Sequence, residues 1–103
     1  MIYRGTTPPL TFEVPFDPTT AKRLWITFSQ DDKEVFTVEK EGCTFDGNII
    51  NVTLTQEQTL MLSADYYVQM QIRVAFEGEN FDDAQASDIV TAEIKEILKD
   101  GVI

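Results

Sequence analysis

Four carboxylates fall within seven residues in the run Glu77-Gly78-Glu79-Asn80-Phe81-Asp82-Asp83. Hard cations take oxygen ligands, so calcium binding is the chemistry such a run could perform. The spacing does not follow the EF-hand loop, and a charge run between strands is ordinarily a solvated turn, so no metal site is assigned. Cys43 is the only cysteine and there is no histidine, which excludes an internal disulfide and the usual zinc sites. Its acidic neighbours Glu41 and Asp46 oppose a thiolate, so Cys43 reads as a small buried or half-buried hydrophobe. Without histidine the chain also lacks the commonest general base and the usual serine- or cysteine-protease arrangement. No P-loop, Gly-rich dinucleotide turn, HExxH or Gly-x-Ser-x-Gly elbow occurs. Most carboxylates fall in turns or at water-facing strand positions, which does not suit an acid/base pair around a cleft. The expectation is a non-enzymatic protein with no catalytic residue, metal or cofactor.

Charge narrows the partners. Eighteen acidic residues against eight basic ones give a net charge of −10. Counterion release rewards basic proteins on nucleic acid, and an anionic membrane surface repels an acidic one, so neither partner is expected. The acidity serves solubility or steers the chain toward a basic partner. No apolar run reaches the length of a membrane span, and the opening Met1-Ile2-Tyr3-Arg4-Gly5-Thr6 lacks signal-peptide character; cytoplasmic synthesis is the expectation.

The 103 residues fit one domain, 1–103. Strict alternation from Tyr66 to Phe76 predicts a long strand, with Val68, Met70, Ile72, Val74 and Phe76 on a core face. Tyr67, Gln69, Gln71, Arg73 and Ala75 take the other face. Leu10-Phe12-Val14 and Leu24-Ile26-Phe28 repeat the pattern, which turns Trp25 away from the core. Glu34 to Lys40 predicts a partner strand, joined through the turn Gln30-Asp31-Asp32-Lys33. Asp46-Gly47 predicts a type I′ hairpin turn leading into Ile50-Val52-Leu54. Thr55-Gln56-Glu57-Gln58 fits a capping box that starts about two helical turns ending at Leu62, with Leu60 or Met61 closing the core. A last strand is predicted from Ser87 to Ile97. Six or seven short strands with turn signals between them favour an all-β antiparallel sandwich with one short helix.

Several stretches carry a resemblance. Tyr3-Arg4-Gly5-Thr6-Thr7 leads into Leu10-Thr11-Phe12-Glu13-Val14, and Leu24-Trp25-Ile26-Thr27-Phe28 precedes a charged turn. Asn51-Val52-Thr53-Leu54-Thr55-Gln56-Glu57-Gln58-Thr59 then precedes Tyr66-Tyr67-Val68-Gln69-Met70-Gln71-Ile72. Together they resemble the N-terminal domain of phage baseplate upper proteins and related small tail-associated proteins of phages of low-GC Gram-positive bacteria. The resemblance implies an immunoglobulin-like sandwich of about seven strands that assembles with copies of itself or with other phage tail proteins. It further implies a virion component, put together in the bacterial host cytoplasm. Larger relatives continue into a linker and receptor-binding parts, so a chain ending at Ile103 implies a minor virion component, an adaptor or a prophage remnant.

Interface candidates are Trp25 and the exposed face of the long strand, Tyr67, Gln69, Gln71 and Arg73, with the apolar ends Ile2, Tyr3, Val102 and Ile103 behind them. Each also has a plain structural reading, as cross-strand pairing or as packing on the chain's own sheet. The alternative function is a carbohydrate- or surface-binding sandwich, in which Trp25 or Phe81 stacks on a sugar beside the acidic run.

Overall fold

Alternation of apolar and polar side chains drives this chain into strands wherever a turn signal releases it. The computed structural model describes residues 1–78 and 83–103. Among them are ten strands: β1 (Ile2–Tyr3), β2 (Pro9–Glu13), β3 (Arg23–Gln30), β4 (Lys33–Glu39), β5 (Thr44–Asp46), β6 (Ile49–Thr53), β7 (Val68–Phe76), β8 (Asp83–Ala86), β9 (Val90–Ala92) and β10 (Ile94–Lys95). One helix, α1 (Gln56–Leu60), separates β6 from β7. The larger sheet runs β4-β3-β7-β8, with β9 also on β7, and the smaller runs β2-β6-β5. All these pairings are antiparallel; β1 and β10 add a short parallel pair.

The inner faces of the two sheets share one core, so the fold is all-β and sandwich-like. Leu24, Ile26 and Phe28 of β3 meet Val68, Met70, Ile72 and Val74 of β7, with Phe12, Ile50 and Val52 from the smaller sheet. Each fully buried side chain of this size contributes roughly 1.5–3 kcal/mol of transfer free energy. Phe28 also stacks on Phe36 of β4, with ring centroids 4.5 Å apart. Ile2, expected among the exposed ends, lies in this core instead, anchored by its backbone bond to Glu93. Phe76, expected in the core, is half-buried and meets Phe16 edge-on.

The turns follow local chemistry, with one exchange of roles. Asp31 and Asp32 both adopt positive φ, 52° and 60°, between the paired residues Gln30 and Lys33. That is the type I′ pattern, which matches the right-handed twist of the strands it joins. In the Asp46-to-Ile49 hairpin only Gly47 has positive φ, at 60°. The expected type I′ turn there is therefore replaced by the II′ pattern, with glycine at the first central position. Asp17 accepts from the Thr19 backbone N–H and hydroxyl, closing the turn that Pro18 opens.

Thr55 and Gln58 form the expected capping box, each side chain bonding the other's backbone N–H. The helix stops at Leu60, two residues sooner than expected. Thr59 is its buried residue and Leu62, just past its end, is buried as well, whereas Met61 is exposed. One turn places Thr59 under the arm, where its hydroxyl donates to Thr6 O at 2.8 Å.

The expected last strand from Ser87 to Ile97 is two short strands, β9 and β10, with β8 preceding it on the same edge. Arg73 pairs with Ala86 and Met70 with Val90, so two residues of β7 oppose three on the edge, Ser87 to Ile89. This extra residue is a bulge, pinned by three hydrogen bonds to Ser87. Its N–H donates to Ile72 O at 2.8 Å, its hydroxyl accepts from Ile72 N–H at 3.0 Å, and its carbonyl accepts from Gln71 Nε2 at 3.0 Å. The chain then leaves β7, and Ile94 enters the core beside β1. The extra residue changes which parity faces inward between β8 and β9: Gln85 pairs with Val74 before it, whereas Val90 and Ala92 pair with Met70 and Val68 after it.

Candidate functional site

The outer face of the larger sheet carries four of the five interface candidates. Register sets its rows. Trp25 lies between Glu39 and Arg73, Thr27 between Thr37 and Gln71, and Ser29 between Glu34 and Gln69. Because Leu24, Ile26 and Phe28 are held in the core, Trp25 is forced outward, and it is 41% exposed. The Arg73 guanidinium carbon sits 5.8 Å from the Trp25 ring centroid, within cation–π range. Arg23, two residues before Trp25 on the same strand face, joins them around a shallow recess of about 100 Å³. That third residue was not singled out from the sequence, although the i, i+2 spacing on a strand places it there.

The candidates do not form one cluster. Gln69 is exposed, but Gln71 is half-buried and committed to the bulge through its bond to Ser87. Tyr67 precedes β7 and is 65% exposed. With Tyr66, Asp31, Asp32, Gln69 and Thr91 it lines a second open recess. At about 3.3 Å per residue, Tyr67 stands roughly 20 Å along the strand from Arg73. The face therefore has two features, a Trp25–Arg73–Arg23 patch and a tyrosine recess. Phe81 and part of the acidic run, Glu79 to Asp82, lie outside the described residues.

Titratable groups elsewhere hold the fold together. Arg4 donates to Leu62 O at 2.8 Å and to Leu60 O at 3.0 Å, satisfying carbonyls at the end of α1, and pairs with Glu96 and Asp100. These hydrogen bonds, Asp100 first and Glu96 second, raise the Arg4 pKa above its ordinary value. Reciprocally, the Arg4 hydrogen bond holds both carboxyls below the usual carboxylate range. Asp17 is lowered too, by its bonds from Thr19. Burial, with Glu41 nearby, pushes the Cys43 thiol up, which suits an inert side chain. No group of three or more metal-ligating side chains comes together among the described residues. No helix among them is long and apolar enough to cross a membrane.

No protein-family model, curated protein or solved structure matches the chain.

Proposed function

We propose that this chain is a non-enzymatic structural protein of a phage or prophage particle, a baseplate- or tail-associated assembly domain acting through protein contacts. The resemblance of its strand and capping-box segments supports the particle. The observation that supports protein contact is Trp25, exposed at the centre of a sheet face with two arginines around it. Tryptophan and arginine are the residues most enriched at interaction hot spots. Partners are copies of the chain or other tail proteins, and assembly occurs in the bacterial host cytoplasm.

Sedimentation across a wide concentration range, with co-purification against the products of adjacent tail genes, tests the proposal. Association that is lost in Trp25→Ala and weakened in Arg73→Ala is the expected result. A strict monomer that binds none of those proteins, or an adjacent gene set without tail or portal genes, overturns it.

The second reading, carbohydrate binding, draws support from the tyrosine recess rather than from Trp25, whose ring Arg73 overlies. Tyr66 and Tyr67 beside Asp31, Asp32 and Gln69 combine aromatic faces with hydrogen-bonding groups. A glycan screen with and without calcium, repeated with Tyr67→Ala, decides it; binding abolished by that substitution favours the second reading.

A further inference from the structure

The sandwich is open along one side. β2 ends the smaller sheet, the bulged β8–β9 edge ends the larger one, and a groove of about 550 Å³ separates them. Met70 and Ile72 form its floor, with Leu10 and Val90 on opposite walls. Val90, although in register with buried Met70, is 48% exposed at the side of the groove. Flat, unpaired edges of this kind are normally blunted, since they template strand addition.

Backbone geometry shows which edge is available. Val14 N donates to Asn48 O at 3.0 Å, and Leu54 N to Pro8 O at 3.1 Å, in register with the β2–β6 pairs. Alternate residues of an antiparallel pair exchange both bonds, so even-numbered residues of β2 face β6. Thr11 and Glu13 therefore point their N–H and C=O groups away from β6, toward the open side. Pro9 has no N–H and blocks only the start of this edge. The opposite edge is interrupted at Ser87, whose carbonyl is already taken by Gln71.

We propose that β2 accepts an extended segment of a different polypeptide as a fourth strand, apolar at alternate positions with lysine or arginine between them. Its apolar side chains would rest on Met70, Ile72 and Val90, filling the groove. Its basic side chains would point outward, where Glu13 and Asp88 line the rim and, among the described residues, no basic side chain does. The net charge of −10 extends this complementarity over the whole chain. Main-chain bonds supply affinity in strand addition, and alternate side chains supply selectivity. The inference rests on the reading of this chain as a protein-contact domain. It uses the core side of the larger sheet, whereas Trp25 lies on the outer side, so the two fail separately.

The test uses an end-capped peptide, Lys-Val-Lys-Val-Lys-Val-Lys, with amide exchange and chemical shifts followed by NMR. Bound peptide is expected to slow exchange at the Thr11 and Glu13 amides about tenfold, with affinity that falls as salt is added. A copy N-methylated at alternate amides is expected not to bind. Glu13→Lys, at an exposed position, is expected to weaken binding while leaving the spectrum folded. Thr11→Pro, if folded, is expected to abolish protection. Binding that leaves both amides unprotected, or equal binding of the N-methylated copy, overturns strand addition. Equal binding of the Glu-for-Lys peptide overturns the basic partner. Concentration-dependent protection of the same amides without peptide assigns the groove to a second copy and overturns the foreign strand.

Discussion

Gln30 is the side chain whose replacement tests the packing logic most directly. It ends β3 and is 6% exposed, yet it is polar. Its Nε2 donates to Ser63 O at 2.7 Å and to Tyr66 O at 3.1 Å, while its Oε1 accepts from Ser63 N at 2.9 Å. One side chain thus ties the link between α1 and β7 to the end of β3. Gln30→Met keeps the stem and its length but removes all three bonds. An orphaned buried polar group costs about 1–3 kcal/mol. Ser63 is half-buried and Tyr66 exposed, so water satisfies part of the loss. The expected destabilisation is about 2–3 kcal/mol, which is large against a typical total of about 5–15 kcal/mol. For a domain of this size it lowers Tm by roughly 10–20 °C. Urea unfolding, read with the slope m unchanged, measures it. Gln30→Glu keeps the acceptor but loses both donors and buries a charge. Its carboxyl pKa is raised in the fold, so the destabilisation is full above that value and eases as pH falls through it. A loss under about 0.5 kcal/mol in Gln30→Met, with unchanged exchange at the Ser63 amide, refutes the claim that these bonds hold the link.

Further outcomes follow from the arm and its partners. Gly5 has φ of 70°, and a Cβ there would lie 2.9 Å from Ile97 Cδ1 and 3.4 Å from Leu60 Cδ2, whereas Gly47 has nothing within 4 Å. Thermal unfolding should therefore show Gly5→Ala costing about 1–3 kcal/mol and Gly47→Ala only about 1 kcal/mol, the backbone part alone. Equal losses at both sites would contradict the close approach of Ile97. Glu96 and Asp100 have pKa values depressed by Arg4, so their stabilisation is present above their unfolded values near about 4 and lost as pH falls through the depressed folded values. In Arg4→Gln both carboxyls should return toward ordinary values by NMR titration, with a flatter acid limb of stability; an unaltered titration would rule out the pairing in solution.

The residues themselves determined the strands with one buried face. In β3, β6 and β7 each side chain's side follows from parity, and a wrong choice would bury polar groups or expose Phe28, Ile50 and Ile72. The capping box was equally legible, because its bonds lie within four residues. Trp25 was readable as outward for the same reason, with Arg23 two residues before it, and the structure adds what parity cannot supply, Arg73 on the neighbouring strand. The tertiary structure decided what depends on distant partners. Gln30 reads as a turn residue until Ser63, 33 positions away, is brought beside it, and Arg4 reads as part of an arm until Leu62 and Glu96, 58 and 92 positions away, surround it. The bulge at Ser87 is of this kind too, since one unpaired residue is visible only against β7. So is the open side between β2 and β9. An unpaired edge is a property of which strand stands next to which, and local alternation contains no record of it.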